Sequence, residues 1–303
     1  MGRRQRLDVR LMELGLATSR QQAQQLIRAG RVRAGDRLLD KPGIAVDPLL
    51  ALQVEQPPRF VSRGGEKLVA ALEALPIAVA GRVCLDAGIS TGGFSDCLLQ
   101  HGASRIYGID VGYGQTAWSL RTDPRLVLRE RCNLRHLRAE ELYGPNDPWP
   151  DLAVADLSFI SLTRVLPALK ALLRPGTAAA PAGPPPLGTA AASAGAATAN
   201  PATAARSGGP EAVLLVKPQF EVGPARVGKG GVVRDATAHA DALSTVLAAA
   251  ASLAWPAAGL LASPITGPAG NHEYLLWLSS RVPPTPLTRD GLEALVAATL
   301  RGG

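Results

Sequence analysis

Four polar residues, Asp86, Asp110, Asp156 and Lys217, each follow a short apolar run that reads as a β-strand. In an open parallel sheet the carboxyl ends of the strands line the ligand crevice, so these positions are where chemistry is expected. Lys217 comes directly after Val213-Leu214-Leu215-Val216, a poor place for an ammonium without a purpose. The bland alternative is a strand-end lysine that snorkels to water. Glu273 opens the apolar run Tyr274 to Leu278 and lies at the same edge if that strand runs antiparallel. A lysine held among carboxylates can accept a proton once it has shed its own, which burial or a neighbouring cation favours.

A second signal is the loop Asp86-Ala87-Gly88-Ile89-Ser90-Thr91-Gly92-Gly93-Phe94, between strand-like Val83 to Leu85 and helix-like Ser95 to Gln100. Glycines at a first strand-to-helix turn let the backbone approach a ligand. Asp110, 22 residues after Gly88, is spaced to meet ribose hydroxyls. A nucleoside-containing cofactor is implied. Dinucleotide binders use G-x-G-x-x-G to seat a pyrophosphate on the helix N-terminus. Here an acid leads the loop and the second glycine is missing. Asp86 would repel a pyrophosphate, yet it suits the cationic methionine portion of S-adenosylmethionine. The run Gly223 to Gly230 nearly matches a P-loop, but glycine stands where the Mg²⁺-holding Ser/Thr belongs and no helix is expected to begin at Lys229.

The elements that must position these residues follow from the rhythm of the chain. Strand-like runs at Val83–Leu85, Ile106–Ile109, Val127–Leu128, Leu152–Ala155, Val213–Val216, Gly259–Leu261 and Tyr274–Leu278 alternate with helical patterns. The expected fold is a doubly wound α/β domain, a mostly parallel seven-stranded Rossmann-like sheet spanning residues 65–303. An Ala/Pro/Gly-rich insertion at 175–210 interrupts it; residues 175–205 carry no charge, and such composition predicts disorder. Residues 57–64 read as a linker.

Residues 1–56 read as a separate small α+β unit. Leu7, Leu11 and Leu14 recur at helical spacing, and Ser19 with Gln22 forms a capping-box pattern for a second helix bearing Ala23, Leu26 and Ile27. A hairpin follows around Ala34-Gly35-Asp36. Arg20, Gln24 and Arg28 recur opposite the apolar face, and Arg31, Arg33 and Arg37 continue the cluster, with Arg4 and Arg6 ahead of it. A basic helix face is commonly just solvated surface, but arginine suits bidentate phosphate contact.

Charge supports that reading. The 303 residues carry a net +7, and residues 1–44 hold ten Lys/Arg against four Asp/Glu. An anionic partner is implied for the N-terminal unit. Three cysteines, Cys84, Cys97 and Cys132, fit neither a zinc site nor a disulfide framework, so a reducing compartment and no metal are expected. The charged N-terminus is not a secretory signal, which points to the cytoplasm. Ala242 to Asn271 lacks charge, but Pro256 splits it into a helix-like and a strand-like half, against a membrane span.

The N-terminal unit, through S19-R-x-x-A-x-x-L-I-x-x-G-x-V, resembles an S4-like RNA-binding domain. Further motifs, S62-R-G-G-E-K67-L, L-D-A-G-I-S-T-G-G-F, D156-L-S-F-I-S, K217-P-Q-F-E-V-G and G270-N-H-E273-Y-L-L-W, are similar in order to the TlyA family of ribosomal RNA 2′-O-methyltransferases, historically also labelled haemolysins. That resemblance implies an FtsJ-type methyltransferase domain, S-adenosylmethionine as cofactor, and a Lys-Asp-Lys-Glu tetrad that falls on Lys67, Asp156, Lys217 and Glu273. It further implies rRNA in ribosomal subunits as partner, acting on cytidine, and places Asn133 near the adenine. Lys217 would activate the 2′-hydroxyl beside the cation Lys67, Asp156 would fix its amine, and Glu273 would orient the ribose or Lys67. The Ala/Pro/Gly insertion is not part of the family pattern. A monomer is expected. Two rival functions are a membrane-active cytolysin and an inactive RNA-binding scaffold; the split at Pro256 weighs against the first and the complete tetrad against the second.

Overall fold

The computed structural model describes residues 4–55, 58–174 and 208–302. The expected insertion therefore lies, but for its last three residues, outside the described residues. The chain divides into two compact units, Met1–Arg59 and Phe60–Gly303. Phe60 is buried in the second unit's core, beside Leu68 and Phe94, so chain expected to act as linker contributes to packing.

The first unit contains β1 (Gln5–Arg6), α1 (Leu7–Glu13), α2 (Arg20–Arg28), β2 (Val32–Ala34), β3 (Arg37–Leu38), β4 (Ala45–Val46) and β5 (Gln53–Val54). Ser19 caps α2 by accepting from Gln22 N at 3.1 Å. The reciprocal bond of the capping box is shifted by one residue: Gln22 Oε1 accepts from Thr18 N at 2.6 Å. Leu7, Leu11, Ala23, Ile27 and Val32 are fully buried. Leu14, expected on the same face, caps α1 and stays exposed, and Ala17 takes its place in the core.

The second unit is a seven-stranded sheet flanked by helices. Its elements are α3 (Gly64–Ala74), β6 (Val83–Ala87), α4 (Gly93–Gln100), β7 (Arg105–Ile109), α5 (Trp118–Arg121), β8 (Leu126–Arg129), α6 (Ala139–Leu142), β9 (Leu152–Ala155), α7 (Leu166–Ala171), β10 (Glu211–Val216), α8 (Pro218–Glu221), α9 (Ala236–Ser252), β11 (Ala257–Ala262), β12 (Tyr274–Ser279) and α10 (Arg289–Arg301). The strand order is β11-β12-β10-β9-β6-β7-β8. Strand β12 alone runs antiparallel to its neighbours, with Tyr274 opposite Val216.

The central strands are buried on both faces, which is why they read as unbroken apolar runs rather than alternating ones. Alternation still decides which core each residue joins. Leu85, Ala153, Leu214 and Leu276 face a cluster with Leu169, Leu243 and Val296 from α7, α9 and α10. Cys84, Val154, Val213 and Leu275 face the other, with Leu68 and Leu98 from α3 and α4. A one-residue slip would exchange the two sets.

The amino ends of β9 and β10 are tied by a buried ionic cluster. Arg82 Nε meets Asp151 Oδ1 at 2.8 Å and its Nη1 meets Glu211 Oε2 at 2.6 Å, while Arg281 Nη2 reaches Asp151 Oδ2 at 2.9 Å. Trp277 and Ser279, near the end of β12, both donate to Glu211 Oε1. The chain leaves the described residues at Arg174, whose N–H donates to Pro150 O, and returns at Gly208, next to Gly209, whose carbonyl accepts from Arg281. Both points lie at this end of the sheet. Among the described residues no helix is long and apolar enough to cross a membrane.

Candidate active site

The opposite, carboxyl end of the sheet carries the residues predicted for chemistry. Lys217 leaves the end of β10, Asp156 the end of β9, and Glu273 precedes β12, whose reversed direction returns it to the same edge. Lys67 arrives from α3. That helix approaches because α3 and α4 cross at glycine: a Cβ at Gly93 would stand 2.3 Å from Ser62 Oγ and 2.8 Å from Gly65 N.

The four side chains form one connected line. Glu273 Oε2 accepts from Lys67 Nζ at 2.6 Å, Lys67 Nζ lies 3.8 Å from Asp156 Oδ2, and Asp156 Oδ1 meets Lys217 Nζ at 2.6 Å. Lys217 Nζ also donates to Ser158 Oγ at 2.9 Å. Lys67, Lys217 and Glu273 are buried, whereas Asp156 is partly open. Two cations balance two anions, as burial of charge requires. Lys67, Asp156, Ser158 and Lys217 line a cavity of about 540 Å³ whose opposite wall is Gly88 to Thr91 with Gly93 and Phe94.

That cavity continues past Gly88, Ser90, Asp156 and Ser158 into a second one of about 470 Å³, walled by Ile109, Leu134, Leu157 and Ile160 and carrying Asp110 and Asn133. Gly88 is a cradle: its φ is +82°, and a Cβ there would stand 2.9 Å from Leu157 Cδ2 and 3.0 Å from Asp156 O. Asp110 is held by Ser90 N at 2.7 Å and Gly112 N at 2.6 Å, fixing its carboxylate on the cavity wall. Asn133 Oδ1 caps the next turn by accepting from Arg135 N at 3.1 Å. An apolar slot with a carboxylate at its rim, joined to a polar chamber, fits the adenosine and the amino-acid chain of S-adenosylmethionine.

Asp86 requires a correction. It does not reach either cavity but lies fully buried beneath the loop, accepting from Ser95 Oγ at 2.7 Å while its other oxygen has no hydrogen-bond partner among the described residues. Burial pushes its carboxyl up to about 7, against the Ser95 hydrogen bond and helped by Asp156 and Asp110. It supports the loop from below. Gly92 is likewise a packing position, since a Cβ there would meet Leu120 Cδ1 at 2.2 Å.

In the first unit the arginines divide. Arg6 and Arg20 grip the buried carboxylate of Asp8, at 2.9 and 3.1 Å, with Gln24 Nε2 at 2.9 Å from the same carboxylate. The Arg6 hydrogen bond above all, with Gln24 and Arg20, outweighs burial and holds Asp8 far below the usual carboxylate range. Arg33 pairs with Glu55 at 2.7 Å. Arg4 and Arg28 are exposed and Arg31 is half-buried. Arg37 is exposed as well, so three of the seven arginines, Arg6, Arg20 and Arg33, also brace the unit.

Sequence reasoning missed Ser158 and Phe159, although both stand inside the motif that carried Asp156. Phe159 is 92% exposed with φ +64°, and its ring lies 5.4 Å from that of Phe220. Both line a third cavity of about 920 Å³, and the centre of the Phe220 ring lies 5.9 Å from Lys217 Nζ. The near-P-loop folds as two short 3₁₀ turns, and the helix after it starts only at Ala236, capped by Asp235.

The FtsJ-like methyltransferase family matches residues 60–280, and the S4 domain matches residues 5–48. The chain is 46% identical to the 16S/23S rRNA (cytidine-2′-O)-methyltransferase TlyA of Mycobacterium tuberculosis, over the full length of both. It is 33% identical to Hemolysin A of Brachyspira hyodysenteriae, covering 89% of this chain and 98% of that one. A solved structure from Streptococcus thermophilus, provisionally named a hemolysin, superposes with a TM-score of 0.65 at 33% identity, covering 99% and 96% of the two chains. The seven-stranded sheet, the S4 unit and the full-length similarity agree, and the chain belongs to the TlyA family of FtsJ-like methyltransferases.

Proposed function

We propose that this protein methylates a ribose 2′-hydroxyl of ribosomal RNA within ribosomal subunits, with Lys67, Asp156, Lys217 and Glu273 as its reacting group. The observation that carries this reading is the convergence of those four residues, from four separate segments, into one ion-paired line whose Lys67, Asp156 and Lys217 border the cavity that adjoins the Gly88 loop. S-adenosylmethionine, held by the Gly88–Thr91 loop, Asp110 and Asn133, supplies an electrophilic methyl group.

A ribose hydroxyl is a weak nucleophile and must lose its proton as it attacks. Two of the three Nζ directions of Lys217 are engaged by Asp156 and Ser158, which leaves the third for the hydroxyl oxygen. With one of its own protons first released to solvent, the neutral Lys217 amine presents its lone pair in that third direction and takes the hydroxyl proton as the oxygen attacks; Asp156 holds the amine in place, and Lys67, paired with Glu273, lies 3.8 Å from Asp156. Much of the rate gain comes from fixing the two reacting atoms in line. Phe159 and Phe220, at the neighbouring cavity, offer faces on which the attached base stacks.

The S4 unit supplies affinity through its exposed arginines, and the cytidine named for the Mycobacterium tuberculosis relative is the nucleotide to try first. Incubation of ribosomal subunits with the protein and radiolabelled S-adenosylmethionine tests the reading directly. Label should enter rRNA as a 2′-O-methyl nucleotide. Label on a base, or none at all, refutes it.

A further inference from the structure

The carboxyl edge of the sheet carries a second feature, remote from the tetrad. Between residues 121 and 138 the chain holds six arginines and two carboxylates, a local excess that the whole-domain charge conceals. Arg129, at the end of the edge strand β8, and Arg131, just after it, are exposed. The facing loop is tied to this segment: Arg131 N donates to Gly112 O at 3.0 Å, Gly114 N donates to Glu130 at 2.7 Å, and Arg121 on α5 bonds the same carboxylate.

Two large aromatic side chains stand out from that frame. Tyr113 is 66% exposed, with the Arg131 guanidinium 4.3 Å from its ring centre, and Trp118 is 77% exposed at the start of α5. A single exposed aromatic residue is ordinary. Arg121, Arg125 and Arg138 pair with Glu130, Asp123 and Glu141, which leaves the exposed Arg129 and Arg131 beside the two rings. Two exposed rings next to two exposed guanidinium groups are the composition of a stacking platform for single-stranded nucleic acid, in which rings take the bases and guanidinium groups take the phosphates.

We propose that this face is a second RNA-docking surface, where Tyr113 and Trp118 stack unpaired bases of the substrate and Arg129 and Arg131 hold its backbone. The inference rests on the reading of the substrate as RNA and adds a place for it to lie. Strand β8 is four strand spacings from β10, so the surface is roughly 19 Å from Lys217. At about 3.4 Å per stacked nucleotide, that is on the order of five or six nucleotides from the modified one. The surface therefore governs affinity for flanking sequence and leaves the transfer step alone.

The test uses the full chain and protein-free rRNA carrying a fluorescent label, with cofactor affinity and methyl transfer measured in parallel. The double variant Tyr113→Ala/Trp118→Ala should bind rRNA about tenfold or more weakly, given roughly 1–3 kcal/mol per stacked base. Its affinity for S-adenosylmethionine and its kcat at saturating rRNA should be unchanged. Trp118→Phe should recover most of the Trp118 contribution. Arg129→Glu/Arg131→Glu, which replaces two exposed side chains and removes the Arg131 contact with the Tyr113 ring, should lower the salt dependence of binding by about two phosphate contacts.

Unchanged rRNA affinity in the aromatic double variant, with cofactor affinity intact, overturns the proposal. So does a Trp118→Phe chain no better than the alanine variant, or a charge-reversed chain with the salt dependence of the parent. If the parent chain binds rRNA through this face but transfers no methyl group to rRNA in ribosomal subunits either, the docking surface stands and the functional reading falls.

Discussion

Strands β9, β10 and β12 end in two four-residue charged clusters of the same composition, two cations and two carboxylates. At the amino edge Arg82 and Arg281 hold Asp151 and Glu211. At the carboxyl edge Lys67 and Lys217 hold Asp156 and Glu273. Arginine is planar, binds carboxylates in fixed pairs and does not deprotonate in a protein, so the first cluster can only hold. Lysine is a flexible point charge able to give up its proton, and its cluster borders a cavity with a glycine-lined wall. The same charge arithmetic thus makes a fastener at one end and a reactive site at the other.

Separate losses should break this pair apart. Lys217→Ala should lower methyl transfer by 10²- to 10⁴-fold, the span of one general base, with cofactor affinity by calorimetry nearly unchanged. Loss of cofactor binding with retained turnover would reverse the assignment. At the other edge, Glu211→Ala takes a carboxylate away from the buried Arg82 guanidinium and should cost about 3–5 kcal/mol in chemical denaturation. The protein that remains folded should keep its kcat. A drop in kcat equal to that of Lys217→Ala would show that the two clusters are not separable.

Asp86 sharpens the contrast as a buried carboxylate that has no cation. Its carboxyl is raised to about 7 by burial, so the folded state binds the proton more tightly than the unfolded chain. Stability from this group is present at low pH and is lost as pH rises from about 4 to about 7. At about 1.4 kcal/mol per pH unit this reaches about 4 kcal/mol. Asp86→Asn should remove that slope from melting curves of the cofactor-free protein. Equal slopes in the two chains would refute the account. The smallest effect is expected for Ser158→Ala, which removes one hydrogen bond to Lys217, about 1 kcal/mol and about fivefold in kcat, with little change in melting temperature.

The seven strands were legible because strands buried on both faces must be apolar throughout, and the edge position of Glu273 followed once its strand was taken as antiparallel. Strand order was not legible, since the pairings of β6 with β9, β9 with β10 and β10 with β12 join residues 58 to 68 positions apart and leave no local pattern. Asp86 was misplaced because loop composition does not show that Ser95, on the first turn of α4, turns the carboxylate inward. The arginines of the first unit looked like one surface face. Only the fold reveals that Asp8 draws Arg6 and Arg20 from 2 and 12 positions away. Leu14 missed the core because its helix ends before the third leucine of the repeat.

Because the chain leaves at Arg174 and returns at Gly208 beside the arginine cluster, this end of the molecule is a natural splice point. A fluorescent reporter or affinity handle inserted between those residues would be anchored at the amino ends of β9 and β10, a strand's length from the Gly88 loop and the tetrad. The enzyme could then be followed on its substrate with both ends of the polypeptide left native.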